Sequence, residues 1–482
     1  MYISLFLHLL YVKYFLTNNC YCDKIAITSP YTALGGFTDK MTLEHNISAR
    51  WLLWFSLPTI ISNIIMNIYS TVDGVFVARL VNTDALSSIN ITMPMIFLAS
   101  ALGMMFGSGG NALVAKKIGE GKVREAREDF SLLIVTAFIF SIILAAVCFI
   151  FLDPLCRFLG SDDKLMPYCR AYMIPVLVSI PFSIFGTMSQ MSYITVGKAH
   201  LGLFFSIMGG VLNIALDWVF IAIFNWGIAG AAIATGIGYA VPSIIGLVWF
   251  AVNRKHSLYI VKPHWRTKTL TQSCMNGSSE MVSVLAFSVI TILFNNILVN
   301  IAGSDGVASL TIIWYAQELF GGMFRGYITG ISSVISYNLG RGDKKRLGRI
   351  FRISVWTLGI TSAVVTVLSY VFGSEVVKIF AKGNSVVYDF SLHGFRVVAI
   401  SFIMMAYNVF ASGWFTALND GKTSAILSFC RTLVFMVLPV LILPRIFDID
   451  GVWFSLNASE MLSLIMSIYY FIKFKNMWTH HS

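Results

Sequence analysis

The sequence predicts an all-α integral membrane protein: twelve transmembrane helices in two six-helix lobes, related by a pseudo-twofold axis along the membrane normal. Three observations carry this expectation. Of the 482 residues, 57% are hydrophobic and only 12% charged, with a mean hydropathy of +0.77, well past the roughly 45–50% apolar usage of soluble domains. Soluble cores could not bury that excess, which excludes a soluble enzyme, and the same figures exclude a disordered chain. The apolar residues fall in twelve runs, and landmarks of the first six recur in the last six.

A bilayer core of roughly 30 Å takes about 20 mainly apolar residues per helix. In the first half, such runs cover residues 51–79, 87–115, 129–152, 165–193, 199–224 and 227–252. In the second they cover 274–302, 306–337, 353–374, 388–416, 423–444 and 451–474. The connections are short except for three basic stretches: KKIGEGKVREARED after helix 2, NRKHSLYIVKPHWRTKT after helix 6 and GRGDKKRLGRIFR after helix 8. Asn82-Thr83-Asp84 recurs as Gly303-Ser304-Asp305, and Gly119-Glu120-Gly121 as Gly340-Arg341-Gly342, both at an offset of 221. Gly197-Lys198 recurs as Gly421-Lys422, and Gly227-Ile228 as Gly451-Val452, at an offset of 224. Six spans per half give both halves the same orientation, so the repeats are parallel and leave a cavity between two lobes. The expected division is an N-terminal extension at 1–45, poorly ordered and outside the functional fold; an N-lobe at 46–252; a connecting loop at 253–272; a C-lobe at 273–475; and a tail at 476–482.

Lys and Arg set the orientation. The loops after even-numbered helices and the C-terminal end hold 20 of them, the opposite side 5. Both termini are therefore expected in the cytoplasm of a multi-pass protein of the plasma (inner) membrane. The net charge of +11 is read as topology, with no nucleic-acid partner. Seven cysteines without paired metal-ligand spacing imply neither a disulfide framework nor a metal site.

Ionisable residues inside spans cost about 2.5–3.5 kcal/mol at a helix centre on insertion scales, so each is a functional candidate. The acids are Asp73, Asp217, Glu280, Glu318 and Glu460; the bases are Arg325, Arg396 and Arg431. A carboxylate in a poorly hydrated lobe can exchange protons near neutral pH, as a proton-coupled pump requires; structural pairing with an Arg is the alternative. Asn213 lies one turn from Asp217 on the same helix face. Glu318 and Arg325, seven apart, share a face of helix 8, with linkage through an intermediate group or water expected over direct pairing. Cavity walls are expected from the 21 Met and 38 Phe, whose thioethers and ring faces accept varied lipophilic cations. Prolines 58, 94, 175, 181, 242 and 439 fall within spans.

Four segments taken together, VDGVFVARL, KIGEGKVREA, LNIALDWVFI and GIAGAAIATGIG, resemble the multidrug and toxic compound extrusion family of secondary transporters, over residues 46 to 474 or so. The resemblance implies a V-shaped pair of lobes that export substrate in exchange for H+ or Na+. It implies a coupling-ion cluster at Asp73, Asn213, Asp217 and Thr235, with Tyr172 and Gln190; the family more often has Asn at the last position. For Thr235, a hydroxyl bonded back to its own helix is the alternative. The resemblance also makes Glu280 a candidate for substrate or a second cation, with Glu318 and Arg325 beside it, and ties a bend of helix 1, weakened at Pro58, to proton binding. For Arg396 it leaves a structural pairing with a neighbouring acid. Of rival classes, the major facilitator pattern is missing after helix 2. A lipid-linked oligosaccharide flippase would carry several cavity Arg and Lys for phosphates. No His-Glu-x-x-His or P-loop marks an enzyme or an ATP-driven pump. The sequence thus points to a monomeric antiporter for organic cations such as drugs, driven by H+ or Na+, without catalytic residues or cofactor.

Overall fold

The computed structural model describes residues 43, 45–80, 83–381 and 384–479, the side chains at 67–80, 83, 84, 86, 87, 288 and 379 excepted. The chain forms two units, Met1–Thr42 and Leu43–Ser482. The first, with nearly all of the expected extension, lies outside the described residues, as does the side chain of Asp73.

Among the described residues all regular structure is helical. In chain order the helices are α1 Ala49–Leu80; α2 Thr83–Met104, continued through a π-turn at Met105–Gly109 to Gly110–Gly119; α3 Val123–Ile150; α4 Met166–Thr195; α5 Ala199–Asp217, ending in a π-turn at Trp218–Ile223; and α6 Gly227–Val252. A single stretch, Thr267–Gly340, holds both α7 and α8. At 74 residues it would run about 110 Å if straight, far beyond a bilayer. Gly303 breaks it, with φ 61° and ψ −151°, a conformation only glycine adopts readily. The break falls where the repeat pattern places the boundary between helices 7 and 8. Then come α9 Lys344–Ala381; α10 Ser385–Ala399 with Ser401–Ala417, bent by 54°; α11 Gly421–Phe429, a π-turn at Cys430–Val434, and Phe435–Ile442; and α12 within Pro444–Lys473.

Nine of these stretches are long and apolar enough to cross a membrane, ten with the bent α10 pair, among the described residues. Splitting α7 from α8 and adding α12 gives the expected twelve. α12 falls short on hydropathy because it turns Asn457, Glu460 and a row of serines inward, where Ser455, Ser459, Ser463 and Ser467 are all buried. All six prolines named above lie inside helices. Lipid would meet broad apolar faces left uncovered on α3, α9 and α12, including Ile143, Val367 and Ile465.

The lobes pack closely at their Lys/Arg-rich ends. The last turns of α2 and α8 cross so tightly that a Cβ on Gly119 would stand 2.9 Å from the Tyr337 carbonyl carbon, and one on Gly340 2.9 Å from that of Lys116. Residues 116 and 337, like 119 and 340, are 221 apart, so the two halves of this contact are pseudo-symmetric equivalents. Small residues allow backbones to meet where lipid offers no hydrophobic drive. Around the seam, the Thr195 and Ser333 hydroxyls are 2.8 Å apart, and Asn419 Nδ2 donates to the Ala112 carbonyl at 3.2 Å.

The connection between the lobes is fastened to the N-lobe by a buried ion cluster. Fully buried Asp129 pairs with Lys117 and, at 2.9 Å, with Arg266, whose other nitrogen reaches Glu128 at 2.7 Å.

Candidate functional site

Two cavities share a wall. The larger, about 340 Å³, lies between the lobes. Five methionines line it, Met66, Met104, Met191, Met405 and Met436, with Phe287 and Trp314, as the composition led us to expect. The smaller, about 120 Å³, lies inside the N-lobe between α4, α5 and α6. Met66, Ser100, Thr187 and Gln190 face both.

Gln190 anchors the partition. Its amide donates to the hydroxyls of Ser62 (2.6 Å) and Ser206 (3.0 Å), and Ser62 donates to Ser206 at 2.7 Å. The longer side chain at this position reaches from α4 to both α1 and α5. Deeper in, Asn213 Nδ2 donates to Thr235 Oγ1 at 3.2 Å, so Thr235 takes a partner across the helix interface. Asn213 Oδ1 is buried with no partner among the described residues, an acceptor available to a proton-bearing group or a cation. Asp217, one turn further along α5, is fully buried where the π-turn begins. Tyr172 packs with Val176, Ile221, Ile228 and Ala231, on the next layer along the same faces of α5 and α6. Of the six residues expected at the coupling site, the structure joins Asn213 to Thr235, sets Asp217 one turn from Asn213 along α5, packs Tyr172 against Ile221 and Ala231, and puts Gln190 at the partition. The sixth, Asp73, lies outside the described side chains.

The C-lobe wall of the central cavity carries three carboxylates, Glu280, Glu318 and Glu460, and two guanidiniums, Arg325 and Arg431. Arg431 binds Glu460 through Nη2 at 2.7 Å and Nε at 3.2 Å, and Asn408 donates to the same carboxylate at 2.6 Å. Arg325 Nη2 donates directly to Glu318 at 2.6 Å. This corrects the indirect linkage expected from their spacing. The reason is Gly321, which lies between them on the same face. A Cβ there would meet the Arg325 Nη1 at 3.2 Å, so the bare backbone leaves a channel along which the guanidinium lies. A helical side chain also leans toward the N-terminus, here toward Glu318.

Glu280 makes no hydrogen bond or ion pair among the described residues. With both guanidiniums committed, the cavity has, among the described residues, one carboxyl group without a basic partner. Arg396 gives a second correction. It is exposed and pairs with no acid among the described residues; it is His393, one turn earlier, that meets Asp450, at 2.8 Å.

Sequence reading missed Asn408, which joins Glu460 to Ser467, and the Ser62–Ser206 pair. The lone Asn in MMAYNVF was the available signal for the former, since an amide within an apolar run must find partners. Serines are too common in these spans to stand out.

A family model described as MatE matches residues 58–219 and 280–441, one block in each half. The multidrug export protein MepA of Staphylococcus haemolyticus is 22% identical over 437 residues, spanning 90% of this chain and 96% of that protein. Among solved structures, MATE in complex with MaL6 superposes with a TM-score of 0.86 at 20% identity, covering 91% of this chain and 99% of that one. The outward-facing conformation of a multidrug resistance MATE family transporter of the MOP superfamily gives 0.84 at 20% identity, covering 90% and 98%.

Proposed function

This chain belongs to the MatE family, and from that premise we propose that it is an antiporter exporting organic cations, drugs among them, across the plasma membrane against an inward flow of H+, with Na+ as the alternative coupling ion. The observation that carries the cationic preference is the central cavity's charge: both arginines are held by carboxylates and Glu280 is left over. A lipophilic cation finds methionine, Phe287 and Trp314 for its apolar body and Glu280 for its charge. The same pairing disfavours export of a lipid-linked oligosaccharide, whose phosphates would need uncommitted guanidiniums.

Coupling is assigned to the N-lobe pocket. Protonation of Asp217, with Asp73 as its expected partner, removes charge from a buried site lined by Asn213 and Thr235. Ion and substrate bind in different cavities and need interact only through the equilibrium between the two lobe arrangements. The Gln190 partition joins the cavities physically and is the natural place for one to sense the other. The Lys/Arg-rich ends are assigned to the cytoplasm and the unit to a monomer.

The test is ethidium efflux from proteoliposomes under separately imposed proton and sodium gradients. Efflux is expected with the proton gradient alone. Asp217→Asn is expected to abolish gradient-driven efflux while the protein stays folded. Glu280→Gln is expected to weaken ethidium binding while sparing proton movement. Wild-type efflux by Asp217→Asn would overturn the coupling assignment; unchanged ethidium affinity in Glu280→Gln would overturn the substrate assignment.

A further inference from the structure

A third cleft, of about 610 Å³, lies away from both cavities, between the first turns of α9 and the last turns of α12. Its floor is aromatic: Phe351 packs on Phe471 at 5.1 Å and on Trp478 at 5.2 Å. Trp478, from the chain beyond α12, is 2% exposed. Its rim carries four cations, Lys344, Lys345, Arg352 and Lys475. None of the four has a carboxylate partner among the described residues, and no acid lines the cleft. Below the rim the lipid-facing sides of both helices stay apolar for several turns, through Trp356 and Ile360 on α9 and Ile468 and Ile465 on α12.

The N-lobe shows what such a groove looks like when filled. Phe130, 221 residues before Phe351, packs on Phe250 at 5.1 Å. There the connection between the lobes covers the site: Leu258 is fully buried in the same cluster, Ile260 N–H donates to the Phe250 carbonyl at 2.8 Å, and Val261 N–H donates to Ser131 Oγ at 2.9 Å. The cations of that region are neutralised by Glu125, Glu128 and Asp129. At the same offset these three acids become Arg346, Arg349 and Ile350. Among the described residues the C-lobe groove thus lacks both the covering segment and the neutralising charge of its counterpart.

We propose that this groove binds an anionic phospholipid of the surrounding bilayer, its phosphate among Lys344, Arg352 and Lys475 and its acyl chains along the apolar faces below. A cationic rim at an apolar, lipid-exposed face fits a molecule with an anionic head and long tails. Each basic residue near an anionic membrane surface strengthens the attraction about fivefold. The groove lies at the foot of the C-lobe, so an occupant would brace α12 against α9 on the side remote from the substrate.

The test uses the full chain in mild detergent, titrated in native mass spectrometry with phosphatidylglycerol, phosphatidylcholine and inorganic phosphate. The wild type is expected to bind one phosphatidylglycerol at least about tenfold more tightly than phosphatidylcholine, with no retention of inorganic phosphate. The triple variant Lys344→Gln/Arg352→Gln/Lys475→Gln is expected to lose roughly a hundredfold in phosphatidylglycerol affinity. The charge-preserving Lys344→Arg/Lys475→Arg should bind as the wild type does. Equal affinity for the two phospholipids, or undiminished phosphatidylglycerol binding by the triple variant, overturns the proposal. So does retention of inorganic phosphate, which would mark a headgroup site for a soluble ligand. If the triple variant does not fold, the wild-type comparison and the charge-preserving variant still decide.

Discussion

Replacing Gly119 with alanine probes the seam that holds the lobes together at their Lys/Arg-rich ends. The new methyl would stand 2.9 Å from the Tyr337 carbonyl carbon and nearer still to its oxygen. That neighbour is backbone, so the ends of α2 and α8 must separate by about 1 Å to restore ordinary contact. Overpacking of this kind costs about 1–3 kcal/mol. Falling only on the arrangement in which these ends touch, it shifts the balance toward the arrangement in which they part by roughly 5- to 150-fold. Gly340→Ala should act alike, because a Cβ there meets Lys116 at the same 2.9 Å. The double variant should fall short of the sum, since one displacement makes room for both methyls. Gly121→Ala is the control: its φ of 79° makes alanine strained, yet nothing lies within 4 Å of the added atom, so the strain falls on both arrangements equally. Spin labels at positions 122 and 344 report the separation as a distance distribution, and ethidium efflux reports the consequence. Unchanged distances in both single variants, or the same change in Gly121→Ala, would refute the reasoning.

Two further outcomes follow from buried or paired charge. Arg431→Met should cost stability at the low end of about 3–5 kcal/mol, read as a lower melting temperature in detergent, because Glu460, only 7% exposed, loses its guanidinium partner. Adding Glu460→Gln should restore most of the loss, and a double variant no more stable than the single one would contradict the pairing. His256, in the connection between the lobes and stacked on Trp249 at 5.1 Å, has its pKa held below the usual imidazole value by burial, with Lys198 and Lys255 adding to the effect. The folded chain therefore binds that proton more weakly than the unfolded one, and stability is lost as pH falls below about 6.5. Melting curves between about pH 7.5 and pH 5.5 should be flatter for His256→Gln than for the wild type; identical slopes would exclude a role for this group.

Composition and periodicity determined the number of spans, the position of their breaks and the doubling of the fold, because a bilayer imposes one length and one polarity on every helix that crosses it. Gly119 and Gly340 were already visible as a repeat, and Asp217 with Asn213 as a polar face, since both depend on spacing along one helix. What the tertiary structure decided were the pairings between helices. Arg431 with Glu460 and Gln190 with Ser62 join residues far apart in the chain, and no periodicity encodes which neighbour a side chain will meet. The Glu318–Arg325 contact shows the limit even within one helix, for spacing fixes a shared face while the bare backbone of Gly321 opens the path along it. The same holds for charge: the sequence counts acids and bases, and only packing, by committing Arg325 and Arg431, leaves Glu280 without a partner among the described residues.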